Sequence, residues 1–156
     1  MAGREDDLLW NRRNCRPGAS FKRRRAGRHW SAPVRVNSDS LHDGRDQFFQ
    51  FMTVDPETGD VYVQFYDRRD DPRDLRTGFT LARSTDEGRT FRNYSWSASP
   101  FEGQGAFLGD YTWLTAYDGR VYGIWAETVP GDASPGVQRR AETVVKIGTA
   151  DFRGTH

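Results

Sequence analysis

The sequence predicts an all-β chain: about two and a half four-stranded antiparallel blades of a β-propeller. Three observations predict it. Apolar and polar residues alternate with period two along the clearest segments, the pattern of a strand lying in a sheet. Tight turns rich in Gly, Pro, Asp and Asn separate those segments. Two hairpins are copies of one another 60 residues apart, and a third motif repeats at 61.

Taken in order, residues 1–26 read as a basic, poorly ordered arm, and 27–156 as propeller blades. Residues 27–37 are the end of one blade, 46–97 a full blade and 107–152 the last blade. The expected strands are "PVRVN" (33–37), "QFFQFMTV" (47–54), "DVYVQFYD" (60–67), "TGFTLARS" (77–84), "TFRNYSW" (90–96), "YTWLTAY" (111–117), "RVYGIWAE" (120–127) and "ETVVKIGT" (142–149). In the third of these Val61, Val63 and Phe65 fall on one face, and Tyr62, Gln64 and Tyr66 on the other. "DPETGD" and "YDGR" are turns between paired apolar runs and so read as hairpins. No amphipathic helical pattern is visible.

The repeat aligns Val61 with Val121, Tyr62 with Tyr122, Phe65 with Trp125 and Asp67 with Glu127. "AGRHW" at 26–30 aligns with "EGRTF" at 87–91. A period of about 60 residues with about four strands per unit is that of a propeller blade, which buries its apolar face only against its neighbours.

Composition narrows the function classes. The 156 residues are 35% hydrophobic and 13% aromatic, with 16 Gly, 7 Pro and a mean hydropathy of -0.85. That mixture suits short strands and many turns, and argues against a helical bundle or a disordered tail. No run reaches transmembrane length, so no membrane partner is expected. The single cysteine, Cys15, cannot form an internal disulfide. His29, His42 and His156 lack metal-ligand spacing, and no phosphate-loop or nucleophile-elbow motif is present, so neither metal nor cofactor is expected.

The net charge of +1 hides an asymmetry: residues 1–29 hold nine basic and three acidic residues, or +6, leaving 14 against 19, or -5, for the rest. "FKRRRAGRHW" has neither interleaved aromatics nor a helical period, which argues against a nucleic-acid groove. The repeat expects a blade strand pattern before residue 26 and does not find it. We therefore expect a frameshift or a misplaced start, so that residues 1–26 are not native blade sequence, which resumes near Gly27.

"RSTDEGRTF" (83–91) places Ser84, Asp86, Gly88 and Thr90 at alternate positions, followed by Phe91. Short polar side chains bond nearby backbone N–H groups and fix a turn, and Gly adopts shapes that other residues resist. A structural turn is the expected role, with Phe91 tucked between sheets.

This S-x-D-x-G-x-T-F spacing matches the Asp-box, or BNR repeat, of sialidase-like propellers position by position. "DQFF", "YDRRDDP", "LARSTDEGRTF" and "FLGDY" together resemble bacterial BNR-repeat proteins of the exo-α-sialidase type, over roughly residues 27–152. The resemblance implies a sialidase-type propeller, part of an exo-glycoside hydrolase acting on acidic glycans in an extracellular or periplasmic setting. The alternatives are a non-catalytic propeller that binds glycan or protein, or an inactive truncated product.

If the box marks one end of the blade, the other end carries the candidate site: Asp46, Asp67, Arg68, Arg69, Asp110, Tyr111 and Glu127. Arginine forks suit a carboxylate, so Arg68 and Arg69, with Asp46 and Asp110, are the expected substrate-binding groups. Asp67 and Glu127 are candidates for acid/base work. The resemblance implies a tyrosine nucleophile, for which Tyr111 is the candidate. It also implies an Arg-Ile-Pro motif, which the chain lacks. A closed propeller needs about four to eight blades. The expected partners are therefore a glycan, and either the remaining blades or further copies of this chain.

Overall fold

The alternation in 61–67 does produce a strand, and its burial explains the order of the layers. In a computed structural model that describes residues 8–10, 19–24, 29–41, 43–103, 108, 111–130 and 141–155, every regular element is a β-strand. They are β1 (Leu8–Trp10), β2 (Ala19–Arg24), β3 (His29–Trp30), β4 (Val34–Arg35), β5 (Gln47–Val54), β6 (Val61–Asp67), β7 (Arg76–Ser84), β8 (Arg92–Ser95), β9 (Phe101–Glu102), β10 (Trp113–Tyr117), β11 (Arg120–Val129) and β12 (Glu142–Asp151). All the described pairings are antiparallel.

Three sheets result. β5-β6-β7-β8 form a meander, and β9 pairs with the start of β7. β10-β11-β12 form a second meander, and β1-β2-β3 with β4 form the third sheet. The rest of the predicted basic arm lies outside the described residues.

Several strands differ in length from their sequence patterns, for local reasons. β8 begins at Arg92 instead of 90, because the Thr90 N–H and hydroxyl are held by Asp86. β11 and β12 pair over ten residues each, longer than the alternation suggested. β5 is interrupted between Phe48 and Phe51, where Phe49 has a φ of 50°. This irregularity turns both Phe48 and Phe49 onto the Tyr66 ring, with centroids at 5.3 and 6.1 Å.

β6 is buried along its whole length, so both of its faces are covered. Val61, Val63 and Phe65 join Val36 and Ala82, with Met52 and Phe91 against them. Tyr62 joins Leu81, Leu114, Ala116 and Val121, and Tyr66 joins Phe79, Phe101, Leu108 and Trp125. The central sheet is thus a middle layer, with the Val36 segment on one side and the β10–β12 sheet on the other. Each large apolar side chain so buried stabilises the fold by about 2 kcal/mol relative to exposure.

The two meanders approach closely where side chains are missing. A Cβ on Gly123 would sit 2.5 Å from the Gln64 side-chain oxygen and 2.6 Å from the Trp96 ring. A Cβ on Gly148 would sit 2.7 Å from the Trp125 ring. These two glycines let Trp96, Trp125 and Phe79 stack at the boundary, with ring centroids 5.6 and 4.6 Å apart.

Candidate functional site

The two ends of the stack differ in chemistry. One end carries the Ser84–Phe91 turn. Ser84 Oγ donates to Asp86 Oδ1 at 2.7 Å and accepts from the Gly88 N–H at 2.8 Å. Asp86 accepts from the N–H groups of Arg89 and Thr90 and from the Thr90 hydroxyl. Gly88 holds a φ of 78°, a shape that favours glycine. Burial pushes the Asp86 carboxyl up, but the Thr90, Ser84 and Arg89 donors together outweigh it and hold it at about 2. Every polar atom named here works on the turn itself. Phe91 packs against the Val61, Val63 and Phe65 cluster.

The same end holds a carboxylate that the sequence did not single out. Asp55 is fully buried and accepts from the N–H groups of Glu57 and Thr58 in its own hairpin turn, and of Asp118 and Gly119 in the turn of the other meander. Desolvation raises its pKa, but the four N–H donors prevail and hold it below the ordinary carboxylate range.

The opposite end carries the predicted site residues, at the end of β6 and the starts of β5 and β7. Asp67 is 3% exposed. Its Oδ1 accepts from the Arg69 N–H at 3.0 Å, and its Oδ2 from Arg69 Nε and from the Thr80 hydroxyl. Arg69 also donates from Nη1 to Ser38 and from Nη2 to Asn93, both at 2.9 Å. Asp39, Gln47, Asn37 and Arg35 extend this network. Arg69 therefore ties the segment before β5 to the loop after β6 and to β8.

Arg68 faces another way. It donates from Nε to Thr77 at 3.3 Å and from Nη1 to the Asp74 carbonyl at 3.0 Å, lies 3.6 Å from Asp46, and covers the Phe48 ring at 5.1 Å. Asp46 is the more exposed partner. The loop between Arg68 and Arg76 is shaped by Asp71, which accepts from the N–H groups of Arg73, Leu75 and Arg76. "DRRDDPRD" is thus a loop folded on its own carboxylates.

On the second meander Glu127 accepts from Trp125 Nε1 at 3.2 Å. Tyr111 precedes β10 and is 78% exposed. Asp110, His42 and His156 lie outside the described residues. Tyr66, which the sequence places only on one face of its strand with Tyr62 and Gln64, accepts from the Ala126 N–H and donates to the Ala126 carbonyl. Burial is the main reason its phenol is pushed up to about 12, and the Glu127 carboxylate acts in the same direction. The structure thus brings Asp46 together with Arg68 and Asp67 together with Arg69. It places Glu127 near Tyr66, a pairing that only the register of two sheets reveals.

No protein-family model matches the chain, and no curated protein or solved structure matches it significantly. Among the described residues no three His, Cys, Asp or Glu side chains are placed to hold a metal ion, and no helix is long and apolar enough to cross a membrane. The chemistry of this end is that of paired charges. The two arginines meet carboxylates of their own chain, and Asp46, Arg76 and Glu102 are the more exposed charges of the same ion-paired set.

Proposed function

We propose that the chain is a portion of a sialidase-like Asp-box β-propeller that recognises acidic glycans without hydrolysing them. The observation that carries the reading is the state of Asp67. Its oxygens accept from the Arg69 N–H and Nε, from the Thr80 hydroxyl and, at 3.5 Å, from Gln47 Nε2, under almost complete burial, so it has neither an open lone pair nor access to a substrate proton. Arg69 is equally committed, and Glu127 holds an indole N–H of its own strand.

The propeller part of the reading is supported by the repeat of about 60 residues, by the S-x-D-x-G-x-T-F turn and by meanders stacked face to face. The glycan part is supported by the cation Arg68 and by the exposure of Tyr111. Arg68 uses Nε and Nη1 on Thr77 and Asp74, and among the described residues no hydrogen bond engages its Nη2, the donor we assign to a ligand carboxylate. Tyr111 offers an exposed ring to a sugar face.

Titration of the chain with N-acetylneuraminic acid, followed by calorimetry, tests the assignment. Saturable binding that weakens at least about tenfold in Tyr111→Ala and in Arg68→Lys is expected. No saturation, or binding indifferent to both substitutions, overturns it.

A further inference from the structure

The β10–β12 sheet has two unlike faces. Leu114, Ala116, Val121, Gly123 and Trp125 turn toward the central sheet and are buried. The opposite face presents Tyr117, Tyr122, Ile124, Val145 and Ile147. The strand register puts them together: Ile124 is paired with Ile147, Ala126 with Val145, Tyr122 with Thr149 and Tyr117 with Arg120. The five are 60, 46, 39, 72 and 74% exposed, too apolar a set for a face that only meets water. Among the described residues, charge enters this face at its turn end, where Arg120 and Asp151 stand opposite each other.

The repeat shows what covers such a face. Tyr122 and Ile124 stand where Tyr62 and Gln64 stand in the preceding unit. There the face is fully buried, under a sheet of the same fold. A β-sheet face of this repeat is therefore the surface that fits. Both faces of the central sheet and the inner face of β10–β12 are already covered within one chain. Among the described side chains, the apolar sheet face that another copy can offer is this same outer face.

We propose that the outer face of β10–β12 is a dimerisation surface, packed across a two-fold axis against the same face of a second copy of this chain. Such an interface is self-complementary: apolar centres meet, and the Arg120 and Asp151 ends lie at the rim. The five side chains offer on the order of 600 Å² per copy before the neighbouring threonines are added, against ~800 Å² per partner in a standard interface. Dimerisation is read by mass and ligand binding by calorimetry, so the two proposals fail separately.

Light scattering and sedimentation of the 156-residue chain over a wide concentration range test this. A reversible species of twice the 17.9 kDa chain mass is expected. Val145→Glu and Ile147→Glu should weaken it at least about tenfold. Both residues are exposed, so the circular-dichroism melting curve of the monomer should persist. If either Glu variant misfolds, Val145→Thr with Ile147→Thr keeps strand propensity and should give the same loss. A monomer at all concentrations overturns the proposal. So does a dimer indifferent to these substitutions, or a species that grows without limit as in head-to-tail stacking.

Discussion

Asp55 accepts the Gly119 N–H at 2.8 Å, across 64 positions of sequence. This contact joins the turn of one hairpin to the turn of its repeat copy. With the bonds to Glu57, Thr58 and Asp118 it satisfies four backbone donors with one buried carboxylate. Asp55→Ala leaves those N–H groups without an acceptor. We expect a loss of about 3 kcal/mol in urea unfolding. A change below about 0.5 kcal/mol would show that the tie is dispensable.

Acid should act through the same end of the molecule. Asp55 is held below its ordinary range and Asp86 at about 2, against 3.8 for a free aspartate. A carboxylate with a depressed folded pKa contributes stability that is complete above the unfolded value. That contribution is lost as pH falls through the folded one. Stability should therefore be flat well above pH 4 and fall as pH drops from about 4 toward 2. Asp55→Asn should flatten part of that slope. Melting temperatures across this range, with and without the substitution, measure it.

How much of this was legible in the sequence varies with the distance a contact spans. The strands were legible, because period-two alternation in "DVYVQFYD" and "RVYGIWAE" is local, and so was the Ser84–Thr90 turn, whose partners are within a few residues. Asp55 was not. Its role depends on two turns meeting in space, and "DPETGD" reads as an ordinary turn. Arg69 was legible as a charged group, but its partners Ser38 and Asn93 lie 31 and 24 residues away. Sequence alone therefore read it as free to bind a ligand. The irregularity at Phe49 carries no Gly or Pro to announce it.

Gly123 was visible only as a break in the alternation of β11. Its closeness to Gln64 and Trp96 makes it a contact point between sheets. Gly123→Ala should force the sheets apart or turn Trp96, at a cost of about 2 kcal/mol. Trp96 fluorescence should change together with the unfolding midpoint. An unchanged midpoint would mean that the boundary is looser than the distances state.

Asp67→Asn separates the structural role of this residue from a catalytic one. The substitution leaves the Arg69 guanidinium with no carboxylate on its Nε side. A destabilisation of about 3 kcal/mol is expected, the size seen when one partner of a buried ion pair is removed. Ligand affinity measured well below the lowered melting temperature should be unchanged. Loss of affinity at full stability would return Asp67 to the binding site.

The reading of this chain as a binder without turnover meets its most direct test in one NMR experiment, in which 3'-sialyllactose is followed over hours with the protein present. Saturation transferred to the sialic acid protons, with the sugar remaining intact, is the predicted result. Release of free sialic acid above the buffer rate, abolished in Glu127→Gln or Tyr111→Phe, would contradict it.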